Sequence, residues 1–432
     1  MTNANRTLRR HALAIFGAAL KAADPAGAVT RYFARRNLSR FRNIYVVGAG
    51  KAGASMALAA ERALGRRITA GLINVKDGHV AKLRRIELNE CGHPVPDARG
   101  VAGAERIAEL AARAQAGDLV VCLISGGASA LLPLPAEGIT PEEKQEVTRL
   151  LLACGAPIEH LNAVRKHISR IKGGQLARLA APAAVESLLL SDVIGDPLDV
   201  IGSGPTAPDE STFAEVSRIL DCYGIRDRVP VSIRRRIDCG LQGAIPETPK
   251  RDDPLFAGVR NTVIGGNRLA LDAAARAARA LGYRTLILSS TIQGETREIA
   301  RVHGAMAREV ACYGQPIKPP ACLISGGETT VTIKGTGLGG RNQEFALAAA
   351  LEIHGLRSVL AFSAGTDGTD GPTDAAGAMA DGQTLDRNPD GVRFLDNNDS
   401  YRYFGPLGDL VMTGPTNTNV MDVRLMLIGG GA

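Results

Sequence analysis

A short apolar run that ends in glycine and gives way to a segment of helical period recurs along the whole chain, and no other feature restricts the fold as much. It occurs at 44–53 (IYVVGAGKAG), 119–129 (LVVCLISGGAS), 188–196 (LLLSDVIGD), 262–267 (TVIGGN), 322–329 (CLISGGET) and 359–368 (VLAFSAGTDG). Val, Ile and Leu runs without polar alternation indicate strands buried on both faces, as in a parallel sheet. Ala-rich segments at 102–116, 269–281 and 345–354 supply covering helices. The expected class is α/β, built from crossover units.

CLISGG appears at 122–127 and again at 322–327. The two copies have different sequels, which points to two α/β domains sharing one strand-to-glycine device and not to a short-period solenoid. Between them, 234–254 carries charge, Gly and Pro in a stretch of poor periodicity, so the boundary is expected there. The division is then 1–245, a Rossmann-like domain with a largely parallel sheet, and 246–432, a second α/β domain. TTVTIK (329–334) alternates in the manner of a hairpin strand, and a closing strand is expected at 423–428.

Composition narrows the function classes. No apolar stretch approaches the roughly 18 residues of a membrane helix, and a membrane partner is not expected. The net charge of +7 is scattered, with acids between the arginines, which favours anionic ligands weakly and nucleic acid hardly at all. Seven cysteines without a C-x-x-C pair imply no zinc site and fit a reducing cytoplasm.

The first chemical motif is VGAGKAG (47–53), where Gly48, Gly50 and Gly53 satisfy G-x-G-x-x-G between a strand and a helix. As a dinucleotide fingerprint it wants an acid about 20 residues on, and Asp77 is the candidate. As an anion site it relies on Lys51, a cation placed in the glycine turn. A plain tight turn with a solvated lysine weighs equally for the glycines alone. Walker and protein-kinase signatures are missing from the sequence. ISGGASA (124–130) brings Ser125, Gly126, Gly127 and Ser129 to a strand end, a cradle for phosphate or carboxylate, with helix caps as the competing role for the serines. Arg165, Lys166, His167, Arg170 and Lys172 in 162–177 read as a solvated basic face.

Asp192 and Asp196 enter a Gly/Pro loop after a buried strand, a carboxylate pair suited to Mg²⁺ with phosphate oxygens or to Asx turns. In the second half, 335–348 (GTGLGGRNQEFALA) delivers Arg341 and Asn342 onto a helix start, where a guanidinium fork matches carboxylate or phosphate oxygens. Asp367, Asp370 and Asp374 follow among glycines. Asp367 is a candidate for metal or substrate contact, the other two equally for turns and caps.

VGAGKAGASMA, GHPVPD, ISGGASALLPLP, NAVRKHISRIKGG, SDVIGDPLDVIGSGPT, GGRNQEFALAAAL, SAGTDGTDGPTDAAGA and TGPTNTNVMD stand in this order from Val47 to Asp422. Together they resemble the class II glycerate 2-kinase family, whose second half is the MOFRL domain. The resemblance implies ATP- and Mg²⁺-dependent phosphorylation of D-glycerate at the 2-hydroxyl. It carries the family's active-site lysine onto Lys51 and its arginine onto Arg341, with the cleft between the domains as the site. On that reading Mg²⁺ bridges the nucleotide phosphates with help from Asp192 and either Glu328 or Asp367. Asp192, and second to it Asp367, orients the C2 hydroxyl. The sequence departs from the family at Ala128, Asn417 and Met421. At Ala128, where the family has glycine, φ must be negative or the loop re-shaped. Two rivals stand beside this reading: an NAD(P)H-dependent hydroxypyruvate reductase, a label some family members carry, and a non-catalytic nucleotide or sugar-acid binder. A homodimer is compatible with the motifs.

Overall fold

The computed structural model describes residues 3–430. It resolves into two compact units, one of residues 25–191 and 196–264, the other of 3–24, 192–195 and 265–430.

The first unit, called N-terminal below, is organised on β1 (Ile44–Ala49), β2 (Ile68–Lys76), β3 (Ile86–Cys91), β4 (Leu119–Ile124), β5 (Ala184–Leu190) and β6 (Val259–Gly265). Their order in the sheet is β3-β2-β1-β4-β5-β6, and the pairs from β3 to β5 are parallel. This is the order of a doubly wound nucleotide-binding sheet, with its topological switch between β1 and β4. β4 is buried at every residue, as an unalternating apolar strand requires. A second cluster, including Val147, Leu151, Val164, Val216, Leu220 and Ile233, packs the helices that follow β4. Thr140 starts one of them with a capping box to Glu143.

The second unit, called C-terminal below, holds β7 (Arg284–Ile292), β8 (Ala321–Gly327), β9 (Val359–Gly365), β10 (Gly377–Asp381), β11 (Leu410–Val411) and β12 (Asp422–Ile428) in the order β11-β10-β9-β12-β8-β7. Only β7 and β8 pair in parallel; β12 runs antiparallel between β8 and β9, and β10 antiparallel beside β9 and β11. β8, β9 and β12 are nevertheless buried throughout, so burial on both faces explains their apolar runs without parallel pairing.

The compact units meet in the chain at 264/265, where the sequence suggested 245/246, and the N-terminal helix joins the later one. The helix Asn3–Ala23 packs on the helix Asn267–Ala280 and on β9, burying Leu8, Ala12, Ile15, Phe16 and Ala19, with Phe16 and Phe362 rings 5.2 Å apart. At the other side, 234–254 is no free linker. It begins inside the helix Val231–Leu241 and is tied down by Glu247 to His167 and by Thr248 and Lys250 to Asp209. The expected strand at 329–334 is also not formed. Thr330 makes one isolated bridge to Glu295, while the backbone N–H groups of Thr332, Lys334 and Gly335 donate to side chains of Glu295 and Asn398. Side-chain acceptors replace the ladder.

Candidate functional site

In the N-terminal unit, β1 and β4 run side by side with Ala49 opposite Ile124, so the turns after them emerge together at the switch point. A Cβ at Gly50 (φ 141°) would lie 2.0 Å from Ser125 Oγ, and one at Gly48 2.0 Å from the Leu123 carbonyl oxygen. Only glycine allows this approach. The turns are then stitched: Ser125 N–H donates to Ala49 O, Lys51 N–H to Gly126 O and Ala52 N–H to Ser125 Oγ, at 3.1, 2.9 and 3.1 Å. Lys51 is left exposed, and its ammonium makes no ion pair among the described residues.

This geometry sorts the expected cradle. Ser125 is buried and closes the start of the helix Gly53–Leu64, the capping role, while the Lys51 and Ala52 amides are occupied. Ser129 Oγ lies 2.8 Å from Ser203 Oγ and accepts from Lys172 Nζ. Gly126 and Gly127 keep N–H groups that bond to nothing among the described residues. Gly127 takes φ 84°, and a Cβ there would sit 2.9 Å from His93 Nε2 and 3.4 Å from Lys51 Cγ. Ala128 begins a right-handed helical turn, so its departure from the family costs no left-handed strain. Asp77, the acid a dinucleotide fingerprint would use, is held by both terminal nitrogens of Arg99 at 2.8 and 2.9 Å. The reductase reading loses its ribose ligand.

The basic segment is corrected more sharply. Lys166, His167 and Lys172 are buried, not solvated. Lys166 bonds Asp199 and Asp209. His167 donates through Nδ1 to Ala163 O and places Nε2 3.0 Å from a Glu247 carboxylate oxygen. Burial alone would raise the Glu247 carboxyl, but the bonds from His167 and the Phe213 N–H outweigh it and hold it at about 2. Lys172 Nζ reaches Ser129 O at 2.8 Å. Lys172, Lys144, Arg165 and His93 line one pocket of about 680 Å³, and none of the four was singled out as a ligand from the sequence. The available signal was Gly173-Gly174 after the cations. Both take positive φ, which folds the segment inward.

In the C-terminal unit, Asp422 opens β12 between Gly327 of β8 and Gly365 of β9 and is fully buried. It accepts from Arg341 Nε at 2.8 Å and Nη2 at 3.0 Å, from Asn342 Nδ2 at 2.9 Å and from Arg424 Nη2 at 2.8 Å. Arg341 Nη1 pairs with Glu328 at 2.8 Å. The guanidinium expected to stand open is therefore clamped by two carboxylates. Burial would lower its basicity, but Asp422 and Glu328 outweigh that and keep it charged. Glu328 is pushed up, by burial first and then by Asp422, Asp192 and Asp367, against Arg341. Those carboxylates thus face one another across a small region.

Around them, Asn342 is buried, donating to Asp370 and accepting from Ser363 Oγ, so it positions the site from behind. Asp370 accepts the Asn342 and Gln343 N–H groups and caps the helix Arg341–Ile353; burial pushes it up to about 6 even so. Asp367 accepts from Thr369 N–H in an Asx turn, and Asp374 from Tyr401. Asp196, in the N-terminal unit, has φ 54° and is raised by burial, whereas Asp192 belongs to the C-terminal unit. Asn417 and Met421 both adopt positive φ, 59° and 68°. Met421 O accepts both Thr366 N–H and Oγ1, which fixes the strained residue just before Asp422. No cluster of three or more His, Cys, Asp or Glu side chains forms a metal cage among the described residues. Mg²⁺ needs only one or two carboxylates when phosphates and water complete its shell, and the acidic side chains beside Glu328 suit that use.

The strand order and the exposed lysine at the switch point define the class: an α/β protein with a doubly wound sheet that carries a cation at its carboxyl edge, where such sheets bind their ligands. Comparison with known proteins narrows it. Residues 11–238 match the family described as Domain of unknown function (DUF4147), and 321–422 match the MOFRL family. The chain is 42% identical to D-glycerate 2-kinase of Thermotoga maritima over 98% of this chain and 99% of that one. It is 42% identical to a hydroxypyruvate reductase by name from Agrobacterium vitis over 99% and 95%. The crystal structure of glycerate kinase from Thermotoga maritima superposes with a TM-score of 0.91 at 41% identity, covering 98% of this chain and all of that one. The chain belongs to the MOFRL-domain glycerate kinase family.

Proposed function

We propose that the chain transfers the γ-phosphoryl group of ATP to the 2-hydroxyl of D-glycerate, releasing ADP and 2-phospho-D-glycerate. The observation that carries this reading is the full-length similarity to a D-glycerate 2-kinase in a chain that presents Lys51, a cation with no counter-charge among the described residues, at the switch point of the nucleotide-type sheet. Phosphoryl transfer is accelerated mainly by positioning and charge neutralisation. Lys51 neutralises phosphoryl oxygens. Arg341, locked by Asp422 and Glu328, directs its remaining N–H bonds and its charge at an anionic group of the reactants. Asp192, or in second place Asp367, accepts the hydrogen bond of the C2 hydroxyl and orients it. Asp192 would hold a Mg²⁺ ion brought in with the nucleotide, and the ion would supply further neutralisation of the phosphates. The seven cysteines are all unpaired, which supports a reducing cytoplasm as the place of action.

The test is product identification. After incubation with ATP, Mg²⁺ and D-glycerate, ³¹P NMR shows 2-phosphoglycerate and ADP. A lone 3-phosphoglycerate signal refutes the regiochemistry, and oxidation of NADH with hydroxypyruvate in place of ADP formation refutes the reaction class.

A further inference from the structure

Five cations of the described residues are buried: Arg9, Lys144, Lys166, Lys172 and Arg424. Three of them sit on carboxylates. Arg9 holds Asp381 and Asp409, Lys166 holds Asp199 and Asp209, and Arg424 holds Asp422. Lys144 and Lys172 have none. Lys144, 8% exposed, bonds only the Leu134 carbonyl at 3.3 Å; Lys172, 1% exposed, bonds Ser129 O, Ser129 Oγ and Ser203 Oγ. Both line the same pocket, together with Arg165, which makes no hydrogen bond or ion pair among the described residues. Removing charges from water without a counter-charge costs several kcal/mol per ion. A fold that gives every other buried cation a carboxylate leaves Lys144 and Lys172, with the half-buried Arg165 beside them, to be balanced by something else.

We propose that Lys144, Arg165 and Lys172 form a polyanion subsite that takes the phosphate chain of the nucleotide, with the nucleoside lying along the apolar wall of Pro94, Pro96, Pro133 and Leu152. Three converging cations match a di- or triphosphate better than a single carboxylate. The volume and the apolar wall fit a nucleoside and not a three-carbon hydroxy acid. The pocket reaches His93 and Gly127, and Gly127 also borders Lys51, so a phosphate chain seated here ends beside the lysine assigned to the transferred group. The acids on the pocket wall do not compete. Asp97 is held by Arg99 and the Gly100 N–H, Glu146 by Arg149, and Glu142 is exposed. Burial and the neighbouring Arg165 push Lys144 down to about 7, and burial with Lys144 and Arg165 pushes Lys172 well down. A bound polyanion reverses both.

The inference rests on the kinase reading only in taking the polyanion to be a nucleotide. Its test uses the whole protein and two probes without glycerate, a non-hydrolysable ATP analogue with Mg²⁺ and inorganic tripolyphosphate, titrated calorimetrically. Lys144→Met and Arg165→Met each weaken both probes by about 10-fold or more, the loss of one charge-assisted contact. They raise KM for ATP in step, while KM for D-glycerate stays within about 3-fold. Leu152→Glu, at a position 58% exposed on the pocket rim, places a carboxylate at the mouth and weakens both probes without touching the core, so it decides the matter if a buried-lysine variant fails to fold. Unchanged affinities in folded variants overturn the proposal. So does a rise in KM for glycerate with the ATP analogue still bound, which would assign the cations to the substrate carboxylate. If the wild-type protein turns over no glycerate, the kinase reading fails, and the tripolyphosphate titration still tests the subsite.

Discussion

Arg341 grips Asp422 through two nitrogens, Nε to Oδ2 at 2.8 Å and Nη2 to Oδ1 at 3.0 Å, while its third, Nη1, holds Glu328 at 2.8 Å. All three nitrogens of the planar fork are engaged, and a lysine cannot reproduce that geometry. Arg341→Lys is therefore expected to lose kcat nearly as far as Arg341→Ala, about 100-fold or more for a preorganised cation at a charged transition state. Steady-state ADP release measures it, and recovery of most of the activity by lysine would reduce the role of Arg341 to bulk charge.

Asp422 also neutralises Arg424, which is the largest fully buried side chain. Asp422→Asn leaves that guanidinium without a counter-charge, an expected loss of about 3–5 kcal/mol in urea unfolding. A variant as stable as the wild type would show that Gly326 O and Thr329 Oγ1, its other partners, suffice.

Lys51 differs because its side chain is exposed and makes no hydrogen bond or ion pair among the described residues. Lys51→Ala should keep the unfolding midpoint within experimental error and lower kcat about 100-fold or more. Activity near the wild-type level removes Lys51 from the reaction. Gly50→Ala is the structural counterpart. It forces Cβ onto Ser125 Oγ and should lower both stability and kcat.

Acid stability depends on two buried groups of opposite sign. His303, between Ile299 O, Ser325 Oγ and the Phe345 ring, is held down to about 4, by burial first. Its folded value lies below the unfolded 6.5, so its contribution is complete above pH 6.5 and lost as pH falls towards 4. Asp370 is raised from 3.8 to about 6. Its contribution is complete below 3.8 and lost as pH rises through 6. Each is worth about 3 kcal/mol across its window, and between pH 4 and 6 they oppose. His303→Gln should flatten the acid loss of stability and Asp370→Asn should steepen it, in urea titrations at pH 4, 5, 6 and 7. Parallel curves for the two variants would contradict the assignment.

The helix Asn3–Ala23 is part of the C-terminal unit's core. Phe16→Ala should cost about 3–5 kcal/mol. Residues 265–430 produced alone should fold only when 3–24 are supplied, as judged by near-ultraviolet circular dichroism. Folding without them would make the helix an accessory.

Much of the site was legible before folding was considered. Lys51 and the glycines around it are local: a strand, a tight turn and a helix start are written in adjacent residues, and only glycine permits β1 and β4 to bring their turns together. The same holds for Arg341 at its helix start. Asp422 carried no comparable local signal, because its importance comes largely from Arg341 and Asn342, some 80 positions away in the chain.

The sequence by itself determined the α/β class, the buried apolar strands that end in glycine turns, the Rossmann-like half and the two cations proposed for chemistry, since each rests on periodicity or on neighbours in the chain. Tertiary structure alone decided three things. It set β12 antiparallel, because burial on both faces is the same for either direction. It gave the N-terminal helix to the C-terminal unit, because an amphipathic face does not name its partner. Above all it separated Lys166 from Lys172. The two lie in one basic run, yet the first meets Asp199 and Asp209 and the second meets only neutral oxygens. Whether a charge is satisfied depends on what distant segments bring to it, and that is known only once the chain has closed.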